Sequence, residues 1–338
     1  MIIAVDAMGG DMAPREIVRG ALLAATEYNI SLILVGDEEQ IQAELGPADT
    51  AGLIDITHAP DVIGMEEHPA IAVRRKKNSS IVKATQLVRD GRAGAVVSAG
   101  NTGAAMTAAL LYLGRIKGVD RPAIAGILPS EKGRALMLDV GANVDCKPAH
   151  LLRFGIMGYH YAEKIMGIPR PRVGLLSNGE EDHKGNETTL AVFPQLQAAG
   201  INFIGNVEGR DIFSGHADVI VCDGFIGNVV LKAGEGMATL LLKMVKGEIT
   251  RSYLAKFGMA MASPVLKELK KRLDYNEYGG APFLGVNGVS IICHGSSASN
   301  AIKNAIKLAQ DSVDNYLVES IREIMEKMDA GGAGGHIA

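Results

Sequence analysis

Short apolar runs recur along the chain, and each gives way to a longer stretch in which apolar residues return every three or four positions. That alternation predicts strands followed by helices, as in a mostly parallel sheet covered on both faces. Strands are expected over residues 2–6, 31–35, 53–57, 95–98, 123–128, 135–140, 172–177, 201–207, 217–222 and 289–293. Helices are expected to begin near Pro14, Asp37, Ser79, Asn101, Pro148, Asn186, Asn228 and Ser296. Pro14 and Pro148 suit first helical positions, where a missing N–H costs nothing. No fixed-period repeat and no Pro-, Ser- or Gly-rich linker divides the chain. The pattern predicts a three-layer α/β domain over residues 1–328, either one unit or two interwoven lobes. A disordered glycine-rich tail is expected over 329–338.

One window, residues 93–114, carries no charge and is long enough to raise the question of a membrane span. Gly94, Ser98, Gly100, Asn101, Thr102 and Gly103 interrupt it, so a buried strand, turn and helix is the better reading. The N-terminus has no basic segment and reaches Asp6 after a few apolar residues, which does not match a secretory signal.

Composition narrows the function classes. Aromatic residues make up 4% of the chain, Trp is absent and the formal net charge is −4, so neither stacking platforms nor a basic footprint for nucleic acid is expected. Cys146, Cys222 and Cys293 lie far apart, without metal-ligand spacing, and read as buried thiols of a reduced cytoplasmic protein. No metal or cofactor motif is found: there is no H-E-x-x-H, no EF-hand loop, no G-x-G-x-x-G after a strand and no P-loop.

The strand ends carry the chemistry. Six of them run into glycine- and asparagine-rich loops: Gly9-Gly10, Gly100-Asn101-Thr102-Gly103, Gly141-Ala142-Asn143, Asn178-Gly179-Glu180, Asp223 to Asn228 with Gly227, and His294-Gly295-Ser296. Each is either a tight βα turn or part of an anion cradle, because glycine admits a ligand to the backbone and the following helix presents unpaired N–H groups. Taken as one set on one sheet edge, they are expected to form a phosphate-type site. Lys184, in the loop after residues 172–177, would draw phosphate to that edge and stabilise an oxyanion, or belong to a solvated charged loop. Asn228 is read as a helix N-cap that could also orient a substrate. His294 is either an active-site group or a satisfied buried imidazole. Arg74 and Arg75 precede the Asn78-Ser79-Ser80 helix start and are either solvated or anion contacts.

Residues 243–272 differ from the rest. Lys243, Lys246, Arg251, Lys256, Lys267, Lys270, Lys271 and Arg272 face only Glu248 and Glu268, and apolar Leu254 and Phe257 lie between them. Gly258 and Pro264 suggest a break between two helices, so a protruding hairpin is expected over about 237–273. Such a surface suits an anionic membrane or an acidic protein; a dimer interface with solvated flanks is the alternative.

Several segments in collinear order, from residue 3 to about residue 300, resemble the PlsX family of bacterial phosphate acyltransferases. They are IAVDAMGGDMAP, VRRKKNSS, SAGNTGA, GRIKGVDRPA, LDVGANVDCKP, RVGLLSNGEEDHKGNE, NFIGNVEGRD, CDGFIGNV and YGGAPFLGV. The resemblance implies transfer of a fatty acyl group from acyl carrier protein to inorganic phosphate, giving acyl phosphate for phospholipid synthesis. It also implies an isocitrate/isopropylmalate-dehydrogenase-like fold, a homodimer, and peripheral attachment to the inner face of the cell membrane. In that family the lysine of KGNE and the asparagine of DGFxGN are associated with activity; here they are Lys184 and Asn228. The residues just ahead of the lysine vary among relatives, which leaves Glu181 and His183 without an assigned role. Two other readings stay open: a phosphotransacetylase-like enzyme using acyl-CoA, and a membrane-docked scaffold for lipid-synthesis enzymes.

Overall fold

A computed structural model of the chain describes residues 1–47, 52–250 and 279–332. Its strands are β1 (Ile3–Asp6), β2 (Leu32–Gly36), β3 (Ile54–His58), β4 (Ala95–Ser98), β5 (Ala123–Ser130), β6 (Gly133–Leu138), β7 (Val173–Leu176), β8 (Phe203–Val207), β9 (Val219–Val221), β10 (Ala281–Leu284) and β11 (Val289–Ile292). They join in one 11-stranded sheet of order β3-β2-β1-β4-β11-β10-β5-β6-β9-β7-β8. Ten of these strands were expected. β10 was not, because its sequence, APFL between glycines and carrying Pro282, reads as a turn.

That unexpected strand changes the geometry. β1, β2, β3, β4 and β11 are mutually parallel, but β10 pairs antiparallel with both β11 and β5, and β5 pairs antiparallel with β6. β6, β9, β7 and β8 are again mutually parallel. The second parallel block therefore runs opposite to the first. The six glycine-rich strand ends do not share one edge, as the sequence suggested. Those after β1, β4 and β11 leave one edge of the sheet, and those after β6, β7 and β9 leave the other.

The helices are α1 (Arg15–Tyr28), α2 (Glu38–Leu45), α3 (Pro69–Arg75), α4 (Ser80–Arg89), α5 (Thr102–Ala108), α6 (Pro148–Lys164), α7 (Glu187–Gln197), α8 (Gly224–Thr250), α9 (Ser299–Asp314) and α10 (Leu317–Gly332). Their starts are set by short polar side chains. Asp37 accepts from the N–H of Gln40 at 3.0 Å, Asn101 from Ala104 at 3.0 Å and Asn186 from Thr189 at 2.9 Å. Pro148 takes the first helical position as expected, whereas Pro14 stands one residue before its helix. Helix α8 starts four residues earlier than expected, because Asp223 caps it by accepting from Ile226 at 2.8 Å. Asn228 is the fifth residue of that helix and is not its cap.

Helices α3 and α10 were not expected. The first is a single short segment whose charged end, Arg74 and Arg75, resembles a loop; these two residues close α3 and do not open α4. α10 carries the chain helically through residues 329–332, the first part of the expected tail, and the remainder of that tail lies outside the described residues. The window 93–114 is a strand, a turn and a helix, as read. Of the expected hairpin, residues 237–250 belong to the single helix α8. Leu254, Phe257, Lys267, Lys270, Lys271 and Arg272 lie outside the described residues.

Alternating strand residues face two apolar layers. On one face Ala4, Val96, Met137 and Ile220 belong to a continuous core that crosses both halves of the sheet. On the other, Ile3, Val5 and Val97 pack under α1 and α9, while Leu136, Leu138 and Val221 pack under α6 and α10. A helix–sheet–helix sandwich results.

Candidate active site

At the first edge the loops after β1 and β4 are built around Asp6, which is buried at the end of β1. Ser98 donates to its carboxylate at 2.6 Å and the Met8 N–H at 3.3 Å. Gly9 is buried so closely that an added Cβ would stand 2.5 Å from the same carboxylate and 2.7 Å from the Gly100 nitrogen. The Gly100 N–H is itself taken by the Ser98 hydroxyl at 3.1 Å. Burial pushes the Asp6 carboxyl up, and the hydrogen bonds from Ser80, Ser98 and the loop backbone work against that rise.

Asn101 is likewise committed. Its oxygen caps α5, and its amide nitrogen donates to the carbonyls of Gly64, Met65 and Glu67 at 3.3, 3.0 and 3.2 Å. Thr102 is exposed beside it, and Gly103 packs on Pro69 of α3. Gly10 is half-buried, with φ +117. His294 is an exposed residue at this edge, its Nδ1 accepting from the Ser296 N–H at 3.2 Å, so the buried-imidazole alternative does not hold. Arg74 and Arg75 are also exposed on this side.

At the second edge a different buried carboxylate plays the same part. Asp139 follows β6 directly and gathers five N–H groups. One oxygen accepts from the backbone of Ile124, Gly141 and Ala142 at 3.0, 3.2 and 3.1 Å. The other accepts from the Asn143 backbone at 2.7 Å and side chain at 2.9 Å. Burial raises the Asp139 carboxyl while those same donors pull it down. The anion in the Gly141–Asn143 nest is thus the protein's own. Asn143, expected to hold phosphate, spends its amide on Asp139 and on the Pro122 carbonyl at 2.8 Å.

The start of α8 rests on this nest. The Gly224 N–H donates to the Asn143 carbonyl at 2.8 Å, and Gly227 packs against the Asp139 carbonyl. Asn228 is exposed immediately afterwards, and its Cβ and Oδ1 stand 3.8 Å from where a side chain on Gly141 would begin. Lys184 is exposed in the loop after β7, with its N–H on the Glu181 carbonyl at 2.9 Å. Asn206 of β8 holds that loop by donating to the Glu181 carbonyl at 2.8 Å. Glu180, Glu208 and Asp211 also cluster here, but Arg210 pairs with both glutamates at 2.9 Å, so the group reads as an ion-pair network.

Between these loops is a cavity of about 180 Å³. Asn186, Thr188 and Thr189 at the mouth of α7 line one side, and Asp145, Cys146, Asp223 and Ile226 the other. Lys184 lies two residues before that lining, and Asn228 two residues after it. Burial, with the Asp139 and Asp223 carboxylates, pushes the Cys146 thiol up to about 12, and Cys222 is raised as well. Both thiols are therefore protonated at neutral pH and poor nucleophiles. Cys146 is half-buried, not fully buried as expected.

The sequence nominated the glycines and polar caps of these loops but missed Asp6, Asp139 and Asn206, which shape them. For the two aspartates the available signal was a lone Asp at the end of an apolar strand, two or three residues ahead of a glycine, a position where a charge is kept only if the following N–H groups turn back onto it.

A family model described as fatty acid synthesis protein matches residues 1–319. The chain is 68% identical over 337 residues to a phosphate acyltransferase of Pelotomaculum thermopropionicum, covering 100% of this chain and 98% of that one. It is 56% identical over 324 residues to a phosphate acyltransferase of Moorella thermoacetica, covering 96% of each. Among solved structures, a phosphotransacetylase from Streptococcus pyogenes matches with TM-score 0.61 at 17% identity, over 93% of this chain and 94% of that chain. A 4-hydroxythreonine-4-phosphate dehydrogenase from Klebsiella pneumoniae matches with TM-score 0.55 at 15% identity, over 93% and 99%. At those identities the two structures are similar to this chain in fold alone.

Proposed function

The chain belongs to the fatty acid synthesis protein family, as one of its phosphate acyltransferases, and on that premise we propose that its acyl group arrives as a thioester of acyl carrier protein. The enzyme makes acyl phosphate. The single observation that carries the location of the chemistry is the cavity between the loop after β6 and the starts of α7 and α8, flanked by Lys184 and Asn228. Inorganic phosphate is anionic at neutral pH and needs no strong base. Its oxygen attacks the thioester carbon, a C–O bond forms, the C–S bond breaks, and the sulfur leaves as thiolate to take a proton from water. The site must bring the two reactants together and stabilise the tetrahedral oxyanion. Lys184 supplies a cation and Asn228 an amide N–H for that charge.

The apolar side of α8 extends the reading. Met237, Leu240, Leu241 and Met244 are at least half exposed, and residues 224–245 are long and apolar enough to cross a membrane by length and composition. With the basic segment 243–272, this suits a homodimer that rests peripherally on an anionic membrane from the cytoplasmic side. Pelleting with vesicles, with and without anionic lipid, tests the attachment; equal pelleting by a Leu254→Glu, Phe257→Glu variant would count against it. The activity itself is tested by following release of carrier-protein thiol from acyl-acyl carrier protein with and without phosphate, using acyl-CoA as the comparison donor. Equal or faster turnover of acyl-CoA would replace the carrier-protein reading. Vesicle binding without any acyl phosphate would leave only a scaffold.

A further inference from the structure

We propose that Asp139 is a positioning residue for acyl transfer, acting through Asn228. The inference rests on Asn228 being part of the site. Asp139 touches both surfaces between which Asn228 is set. Through its side chain it fixes the loop 141–143, because all five N–H groups around the carboxylate come from that loop or from Ile124. Through its main chain it fixes the first turn of α8. A Cβ on Gly227 would stand 1.9 Å from the Asp139 carbonyl oxygen, so helix and strand end meet with no room for a methyl group. Gly224 is equally confined: a Cβ there would lie 2.7 Å from the Asn143 carbonyl and 2.8 Å from the Asp139 carboxylate. The Gly224 N–H closes the circuit by bonding to the Asn143 carbonyl at 2.8 Å.

Asn228 is the next residue after this contact and faces Gly141, the first residue of the nest. Its carboxamide is therefore placed by a unit of loop and helix start that a single buried carboxylate holds together. Asp139 is buried and does not reach the cavity lining, so its effect on the reaction passes through what it holds. An Asn in its place keeps the shape but brings an NH2 where an acceptor stood, setting a donor against the N–H groups of the nest.

A double-mutant cycle tests this. Phosphate-dependent turnover is measured for Asp139→Asn, Asn228→Ala and the double variant, with circular dichroism and thermal unfolding reporting on the fold. Asp139→Asn is expected to lower kcat by at least about tenfold with the KM for phosphate changed far less, since small misplacements of a catalytic group cost rate steeply. In the Asn228→Ala background the same substitution is expected to lower kcat less than about threefold. If the two losses simply multiply, Asp139 does not act through Asn228 and the proposal falls, while the reading of Asn228 stands. If Asn228→Ala alone leaves kcat unchanged, Asn228 has no role in the reaction and both fall. Should Asp139→Asn not yield folded protein, Gly227→Ala, which displaces the same contact from the helix side, goes through the same cycle with the same expected coupling; multiplying losses there overturn the proposal equally.

Discussion

The hydroxyl of Ser98 lies 2.6 Å from the carboxylate of Asp6, on neighbouring parallel strands whose side chains meet across a sequence separation of 92 residues. The hydroxyl also accepts from the Gly100 N–H, so one small side chain links the end of β1 to the turn after β4. Replacing it with Ala leaves a buried carboxylate short of a donor and a loop N–H short of an acceptor. Ser98→Ala is expected to lower unfolding stability by about 1–3 kcal/mol. Urea denaturation checks this, and a change below about 0.5 kcal/mol would mean that water or a neighbour takes over both bonds.

Gly185 offers a separate test of the Lys184 loop. Its φ is +125, and an added Cβ would stand 2.1 Å from the Thr189 hydroxyl at the mouth of α7. A residue with a side chain cannot adopt that backbone without strain of about 1–3 kcal/mol, so the loop must move. Gly185→Ala is expected to reduce phosphate-dependent turnover by about tenfold or more while the melting temperature falls by only a few degrees. Unchanged turnover would detach the Lys184 loop from the reaction.

The fold class was legible because each apolar run and each amphipathic segment carries its own period, and that period survives packing. The direction of the second half was not. It is set by the β5–β6 hairpin, closed by Glu131 and Lys132, and by β10, four residues that hold a proline, sit between glycines and find their β5 partner far away in the sequence. The candidate site was legible in the same partial way. Glycine and asparagine mark where the chain turns, so Gly100, Asn143 and Gly227 stood out. Which anion a nest holds depends on what lies beneath it, and Asp6 and Asp139 were hidden at the ends of apolar runs, the first closing β1 and the second just after β6.

Arg172 and Asp218 provide a pH-dependent measurement. The guanidinium meets the carboxylate at 2.8 and 2.9 Å, and the Arg172 backbone N–H adds a third bond at 2.8 Å. Burial works to raise the Asp218 carboxyl, but the hydrogen bonds and charge of Arg172 outweigh it and hold the group below its ordinary value of 3.8. A carboxyl depressed in the folded state contributes stability above its unfolded pKa and loses that contribution as pH falls through the folded one. Asp218→Asn is therefore expected to cost about 1.5–3 kcal/mol near pH 7. The difference from the parent should narrow as pH drops below about 4. Denaturant unfolding at pH 7, 5 and 3 checks it; a difference that widens toward acid would contradict the sign.

The reversal of strand direction makes a last prediction about which cations meet phosphate. Lys184 leaves the edge formed by β6, β7 and β9, together with Asn228 and the cavity, whereas Arg74 and Arg75 end α3, the short helix whose first residue, Pro69, packs on Gly103 after β4 at the other edge. A cation stabilises an oxyanion only at close range, since charges farther apart than about 8–10 Å are largely screened at physiological salt. Lys184→Ala is expected to lower phosphate-dependent release of the carrier thiol by about 10²-fold, the range for removing one oxyanion-stabilising donor. Arg74→Ala with Arg75→Ala is expected to change kcat/KM for phosphate by less than about threefold, the scale of a remote surface charge. Steady-state kinetics at fixed ionic strength distinguish the two. A large loss in the arginine variant with Lys184→Ala unaffected would move the chemistry to the first edge and to the nest around Asp6.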